Sequence, residues 1–366
     1  MSLVVFPFKE EDLSVISANL AIAAGHDRVQ EVWAVAASEG RSMAEVGRVA
    51  AEIGRDRGIP VAVFAQERLG GLRPGKGDGM NTAIARAAER GFPRVHFYDA
   101  DITNFDETWI DGAERAADRG YGVVRHRFPR AATDAMITWM VTRPGLAVLF
   151  PGTLLPRIGQ PLGGEVLLDG EVVEVLAADP FVTSRSDWGI DTIITYATSL
   201  AASGIYEHHA ADGKRHALYG SLIDIEDMVL ECLDAVGSLA GRPAPGGALA
   251  ADPPAPVPED LKTTVAFDLD ATRREIATPP DEAERAILES LGVDPSSPIV
   301  MDATGWRQVF PQLLSRFRLE EGAWRTAAFR LWVERVIHYT ANLVPEGYDV
   351  AVTYLEQTVR DFEVGN

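Results

Sequence analysis

The first 130 residues alternate between short apolar runs and longer stretches whose apolar positions fall three or four apart. Residues 2–8 (SLVVFPF), 31–37 (EVWAVAA), 60–64 (PVAVF), 95–98 (VHFY) and 121–128 (YGVVRHRF) read as strands, several apolar enough to be buried on both faces. Between them, residues 11–24, 42–57, 80–90 and 107–118 have helical spacing, and 70–79 form a Gly-rich loop. This alternation predicts an α/β domain with a mainly parallel sheet and helices on both faces. Right-handed crossovers then gather the strand C-termini along one edge. Past residue 130 the alternation loosens. Residues 134–150 and 165–178 read as mostly helical, SDWGIDTIITYATSL opens another helix, and SGIYEHH is a short strand. From about 222 the pattern is helical, with helices expected over 280–292, 304–319, 322–343 and 346–362. The expected division is a domain over 1–221 and a helical C-terminal domain over 222–366, the latter containing an extended Pro/Gly/Ala-rich linker at 241–260.

Charge narrows the class. The 366 residues carry 54 acids and 34 bases, a net charge of −20, which argues against a nucleic-acid or anionic-membrane surface. Residues 220–300 alone hold 16 acids against 5 bases. Hydrophobic content is 46%, and no apolar run reaches the roughly 18–20 residues of a membrane helix. MSLVVFPFKEED lacks the basic start of a secretory signal, and Cys232 is the single cysteine, so a reducing cytoplasm is the expected compartment. Only four basic residues are lysine: Lys9, Lys76, Lys214 and Lys262. The first three fall in loops with other marks of function, where a compact ammonium suits phosphate.

Five stretches could carry chemistry. The strand at 95–98 ends in Asp99-Ala100-Asp101, and residues i and i+2 of an extended segment point the same way. Two carboxylates at a strand's C-terminal end suit Mg²⁺ or Mn²⁺ bridging to phosphate, or form a solvated turn. Gly70-x4-Gly75-Lys76 nearly spells a P-loop, but Gly77 stands where a Ser or Thr would hold the metal. That leaves a loop whose backbone can approach a phosphate or sugar, or a plain surface turn. His216 follows Lys214 and Arg215 in a loop, with His208 and His209 upstream, and is either a metal ligand or structural. Arg125, Arg127 and Arg130 cluster after a strand, ahead of Thr133 and Asp134, as a carboxylate pocket or a surface cluster. In SDWGID, Ser186 or Asp187 can cap a helix with Asp191 in its first turn. Asp134, Glu165 and Asp191 are the carboxylates available to a sugar ring.

Taken in order, MSLVVFPFK, QERLG-x-LRPGKGDGMNTA, HFYDADIT, TDAMITWM, QPLGGE, SDWGID and the loop carrying His216 and Tyr219 resemble the mannosylglycerate synthases, glycosyltransferase family 78. The resemblance is dense over 1–240. It implies a Rossmann-like nucleotide-sugar transferase A fold. It also implies retaining transfer of mannose from GDP-mannose to the 2-hydroxyl of D-glycerate, giving a compatible solute. Pro7, Phe8, Lys9, Glu10, Glu11 and Val35 would line the nucleoside pocket, with Gln66 on the base side. Lys76 would reach the nucleotide or sugar, and Asp99 and Ala100 the donor. Asp101 with His216 would hold a divalent cation, Mg²⁺ or Mn²⁺. Leu162 and Asp191 would hold the sugar, and Tyr219 would close over the diphosphate. Arg130 with Ala135, Met136, Ile137 and Thr138 would bind the acceptor. Asp101, His216, Asp191 and Lys76 are thus the expected catalytic set, and the helical domain is an expected surface for homo-oligomers. The family places an Arg after the metal His, where this chain has Ala217, with Arg215 before the His instead. A glucose-nucleotide donor, a sugar-phosphate nucleotidyltransferase and a non-catalytic sugar-nucleotide binder stay open as alternatives. A nucleotidyltransferase, though, would carry its Gly-rich Lys loop after the first strand rather than the third.

Overall fold

A computed structural model describes residues 1–216 and 221–364. The strands are β1 (Ser2–Phe8), β2 (Val29–Ala36), β3 (Val61–Ala65), β4 (Arg94–Phe97), β5 (Val123–Arg127), β6 (Val166–Asp169), β7 (Gly204–His209) and β8 (Ala248–Ala251). The α-helices are α1 (Leu13–Gly25), α2 (Arg41–Arg57), α3 (Lys76–Arg90), α4 (Glu107–Ala117), α5 (Arg143–Leu149), α6 (Gly170–Ala178), α7 (Pro180–Thr183), α8 (Ile190–Ala201), α9 (Glu226–Gly237), α10 (Glu259–Thr263), α11 (Leu269–Glu275), α12 (Glu282–Ser290), α13 (Ala303–Arg316), α14 (Gly322–Asn342) and α15 (Tyr348–Val364). The chain forms two compact units. One comprises Met1–Pro129, Leu162–Ala217 and Pro245–Pro256; the other comprises Arg130–Pro161, Leu218–Ala244 and Val257–Asn366.

The first unit is built on an eight-stranded sheet in the order β3-β2-β1-β4-β6-β5-β7-β8. All pairs are parallel except those made by β6, which is antiparallel to β4 and β5. Val4, Phe6 and Phe8 of β1 and Val32, Ala34 and Ala36 of β2 pack with Ile16, Leu20 and Ala23 of α1 and Trp109 and Ile110 of α4 in one core. Asp12 caps α1 by accepting from Ser14 N at 2.7 Å, and Gly58 ends α2 with φ +73°, a conformation that suits glycine.

Three elements depart from the sequence reading. Residues 165–178 are not one helix: Val166–Asp169 is β6, and the helix starts at Gly170, where Asp169 accepts from Val172 N at 2.9 Å. The short run VLL between glycines fits either element by periodicity, and pairing with β4 and β5 decides it. Helix α3 starts at Lys76, so the last four residues of the Gly-rich loop, 76–79, are its first turn. The Pro-rich stretch 241–260 contains β8, which joins β7 in parallel. Asp252, just past β8, accepts from His208 Nδ1 (2.7 Å), His209 N (3.1 Å) and Tyr206 OH.

The second unit is helical. Trp306 Nε1 donates to Met140 O at 2.9 Å, and Tyr339 OH donates to Ala132 O at 2.9 Å. Thr138–Thr142 is a π-helical turn ahead of α5.

Candidate active site

The strand edge of the first unit brings many of the expected residues together. Pro7 pairs in register with Val35, and Val35 with Phe64. Gln66 N donates to Ala36 O at 2.8 Å, which carries β3 past β2 toward α3. A Cβ added at Gly79 would lie 3.2 Å from Gln66 Oε1 and 3.6 Å from Pro7 Cβ, so these three line one small region. Phe8 belongs to the core, while Lys9 and Glu10 are exposed. Lys9 N donates to Glu11 Oε2 at 2.5 Å. Burial pushes the Glu11 carboxyl up, and the charges of Asp101 and Asp99 add to the effect.

The Gly-rich segment is not a surface turn. Asp78, fully buried, accepts from Leu69 N and Gly70 N at 3.1 Å each and from Arg68 at 2.7 Å. Asn81 Nδ2 donates to Val182 O at 3.1 Å and Arg185 O at 3.0 Å. A Cβ at Gly77 would meet Arg185 O at 2.3 Å, so glycine is what lets the start of α3 lie on the segment before α8.

This seating buries Lys76. Its Nζ donates to Asp99 Oδ1 at 2.8 Å and Asp191 Oδ2 at 3.0 Å, 6.0 Å from the Trp188 ring centroid. Lys214 Nζ donates to Asp99 Oδ2 and, at 2.6 Å, to Glu165 Oε1. Because β6 is antiparallel, its beginning arrives at the C-terminal edge of its parallel neighbours, which is how Gly164 and Glu165 reach Asp99. A Cβ at Gly164 would sit 2.4 Å from Asp99 Oδ1 and 2.6 Å from Lys76 Nζ. Arg125, buried in β5, braces this corner by donating to Gly163 O at 2.9 Å.

Two ammoniums thus face three carboxylates. Burial alone would raise the Asp99 carboxyl, but Lys214 and Lys76 hold it well below the usual carboxylate range. Burial works against charge on Lys76 too, and Asp191 and Asp99 more than offset it, keeping its pKa well above that of a free lysine. Glu165 and Asp191 are pushed up by burial, which their lysine partners only partly offset.

Asp101 and His216 flank a clamp between two loops. Thr103 N and Oγ1 donate to Arg215 O at 2.8 and 3.1 Å, Arg215 N donates to Asn104 Oδ1 at 2.8 Å, and Asn104 Nδ2 donates to Gly213 O at 2.8 Å. A carboxylate and an imidazole are ligand types that a divalent cation accepts, with its remaining ligands drawn from phosphate and water. Among the described residues no group of three or more protein ligands forms. His208 and His209 do not join this site: both sit in β7, and His208 lies over Gly112, where a Cβ would be 1.9 Å from its Nε2. Ala217 and Tyr219 lie outside the described residues. Ala100 is buried beside the two aspartates and Leu162 is half-buried.

Arg130 and the Ala135–Thr138 stretch belong to the second unit. Arg130 Nη1 donates to Asp134 Oδ2 at 2.9 Å, and Asp134 Oδ1 accepts from Ala135 N at 2.6 Å. Ala135 has φ +57°, a left-handed conformation unusual for a residue with a Cβ. Met136, Ile137 and Thr138 are buried and lead into the π-helical turn.

Asp78, Asn81 and Gly164 were not singled out by sequence reasoning, and Arg125, read there as part of a possible carboxylate pocket, is instead a brace on Gly163 O. Only Asp78 and Asn81 left a signal, as polar residues three apart across the boundary between the segment read as loop and the helix read after it.

Residues 2–238 match the family model "Mannosylglycerate synthase, GT domain", and residues 287–359 match "Mannosylglycerate synthase C-terminal domain". The chain belongs to the mannosylglycerate synthase family. It is 45% identical over 370 residues to a mannosylglycerate synthase of Rhodothermus marinus, covering 97% of this chain and 92% of that one. It is 38% identical over 375 residues to one from Selaginella moellendorffii, covering 98% and 89%. Family membership makes the protein a glycosyltransferase. Glucosyl-3-phosphoglycerate synthase from Mycobacterium tuberculosis, solved with Mg²⁺ and uridine diphosphate, superposes with a TM-score of 0.53 at 21% identity, over 66% of this chain and 80% of that one. At that identity the likeness is one of fold, a nucleotide-sugar transferase A sheet.

Proposed function

We propose that the protein transfers mannose from GDP-mannose to the 2-hydroxyl of D-glycerate with retention of the α configuration. The observation that carries the reading is the buried Lys76–Asp99–Lys214 arrangement at the C-terminal end of β4, in a chain of this family. In a protein of net charge −20, a diphosphate needs a local reversal of field; Lys76 and Lys214 supply two positive charges but face Asp99, Asp191 and Glu165, so the reversal would also draw on the divalent cation. Lys76 pairs with Asp99 and Asp191, and both pairs would yield to phosphate and sugar hydroxyls on donor binding. Asp191, rigid in the first turn of α8, and Leu162 would bound the sugar. Pro7, Val35 and Gln66 would hold the nucleoside.

Asp101 and His216 would hold Mg²⁺ or Mn²⁺, which when bound would offset charge developing on the leaving diphosphate. Arg130 would fix the glycerate carboxylate, with Thr138 beside it, so that the acceptor hydroxyl is aimed at the anomeric carbon. Arg125 is not a reserve for that role, since its guanidinium braces Gly163 from within the sheet. No side chain is assigned as a covalent nucleophile. The departing phosphate oxygen would take the acceptor proton.

The test is incubation of the protein with GDP-mannose, D-glycerate and either metal, following GDP release and the anomeric signal of the product by NMR. α-Mannosylglycerate formed in step with GDP is expected, and Asp101→Ala should abolish it. Faster product from a glucose nucleotide would replace the donor assignment. GDP release without glycoside would remove the acceptor assignment.

A further inference from the structure

Arg335, in the middle of α14, is completely buried in the helical unit. Its Nη2 donates to Tyr354 OH at 3.3 Å, with the guanidinium 5.4 Å from the Tyr354 ring centroid. Its Nε and Nη1 have no acceptor, and it forms no ion pair among the described residues. Other arginines of the same unit are handled differently. Arg143 forms a two-pronged fork with Glu356 at 3.0 and 2.9 Å, and Arg330 engages Glu284, Ile276 O and Thr278 O. The carboxylate whose charge Arg335 feels most is Asp302, and its Oδ1 is committed to Gly305 N at the start of α13.

Two more buried nitrogens on the same helix lack partners, Trp332 Nε1 and His338 Nδ1. They stand three residues before and three after Arg335, the spacing that places side chains on one face of a helix. The indole is a donor only, and the imidazole nitrogen carries hydrogen in one neutral tautomer. A permanently charged, buried guanidinium flanked by donors, with only one neutral hydroxyl acceptor and two nitrogens without any among the described residues, calls for negative charge.

We infer that the helical unit binds a small monovalent anion of the chloride class at Arg335, between α14 and α15. Its place matters because the same two helices hold the segment that starts the unit. Tyr339 OH donates to Ala132 O and Tyr348 OH to Arg130 O, both at 2.9 Å, and Tyr339 stacks on Tyr354. An occupied Arg335 site would therefore brace the backbone at 130–132. The inference concerns binding and does not depend on the substrate assignment.

The probe is chloride, with gluconate, too large to enter, as the control at equal ionic strength. For the full chain, the ³⁵Cl NMR line should broaden saturably, and the thermal midpoint should rise by several degrees in chloride over gluconate. Arg335→Met, an apolar replacement of similar length, should remove both effects. Trp332→Phe, which keeps the packing and deletes one donor, should weaken chloride binding several-fold and serves if Arg335→Met does not fold. Equal melts in chloride and gluconate with no saturable broadening would overturn the inference in favour of buried water. Chloride binding unchanged in both variants would move the anion elsewhere.

Discussion

Lys76 is tied into the fold more tightly than a loop lysine. A solvated position would make Lys76→Ala harmless to stability, but the observed ammonium is buried between Asp99 and Asp191. Removing it leaves the buried Asp191 and the half-buried Asp99 short of a cation, a class of change that costs about 3–5 kcal/mol when fully buried. We expect about 3 kcal/mol, since Asp99 keeps Lys214, together with a loss of donor binding; a thermal melt beside calorimetry with GDP-mannose measures both. Lys76→Arg should not rescue binding, because even a single methyl at Gly164 would come within 2.6 Å of the ammonium. The same crowding makes Gly164→Ala informative. Its Cβ would sit 2.4 Å from Asp99 Oδ1, so the Lys76–Asp99 pair must separate. The expected result is a drop in kcat/KM of more than about tenfold, at least 1.4 kcal/mol, with the fold retained by circular dichroism.

The loop from Leu69 through the first turn of α3 works as one element because Asp78 ties it. Asp78→Ala would strand the N–H groups of Leu69 and Gly70 and release Arg68. Each unsatisfied buried donor costs about 1–3 kcal/mol, so a loss of about 2–4 kcal/mol is expected from denaturant unfolding. Asp78→Asn keeps an acceptor oxygen for the two N–H groups and should recover part of it. Equal stabilities for the two variants would show that the amide contacts contribute little. The glycines before and after Lys76 follow the same logic: Gly77 permits close approach to Arg185 O, so the loop's flexibility is used in folding rather than kept for motion.

Across the molecule, acid sensitivity should come largely from the buried histidines of the sheet. His126 Nε2 donates to Trp109 O at 3.1 Å and its ring is stacked on Trp109, and burial with the nearby His208 lowers its pKa to about 3 from 6.5. Above pH 6.5 both folded and unfolded chains hold it neutral, so it adds nothing to the pH dependence. Below that, the unfolded chain takes up a proton that the folded chain refuses until about pH 3. Stability must therefore fall as pH drops through this window, by about 2 kcal/mol at pH 5 from this residue. Glu114 and Asp99, both held below the usual carboxylate range, add their own losses at still lower pH. His126→Phe should flatten the thermal midpoint between pH 6.5 and 5 relative to the parent. A slope unchanged by that variant would place the acid sensitivity elsewhere.

The sequence by itself determined the alternating first domain and most helix positions, because local apolar period and fixed spacing are properties of the chain alone, while the candidate site list rested on the family resemblance. SLVVFPF could only be a buried strand, and Asp99 and Asp101 had to leave a strand end together. The helices expected over 322–343 and 346–362 appear as α14 and α15 for the same reason. Tertiary structure decided what depends on residues far apart. Val166–Leu168 became a strand only because β4 and β5 offer it hydrogen bonds on both sides. Ala248–Ala251 joined the sheet only because β7 leaves it an edge, and Asp252, the residue that follows, is tied to β7 by accepting from His209 N. Lys76, read as a loop cation, is buried because Asp99, 23 positions on, and Asp191, 115 positions on, meet at its ammonium. No local pattern encodes such a meeting, since it is set by which strand ends the sheet order makes neighbours.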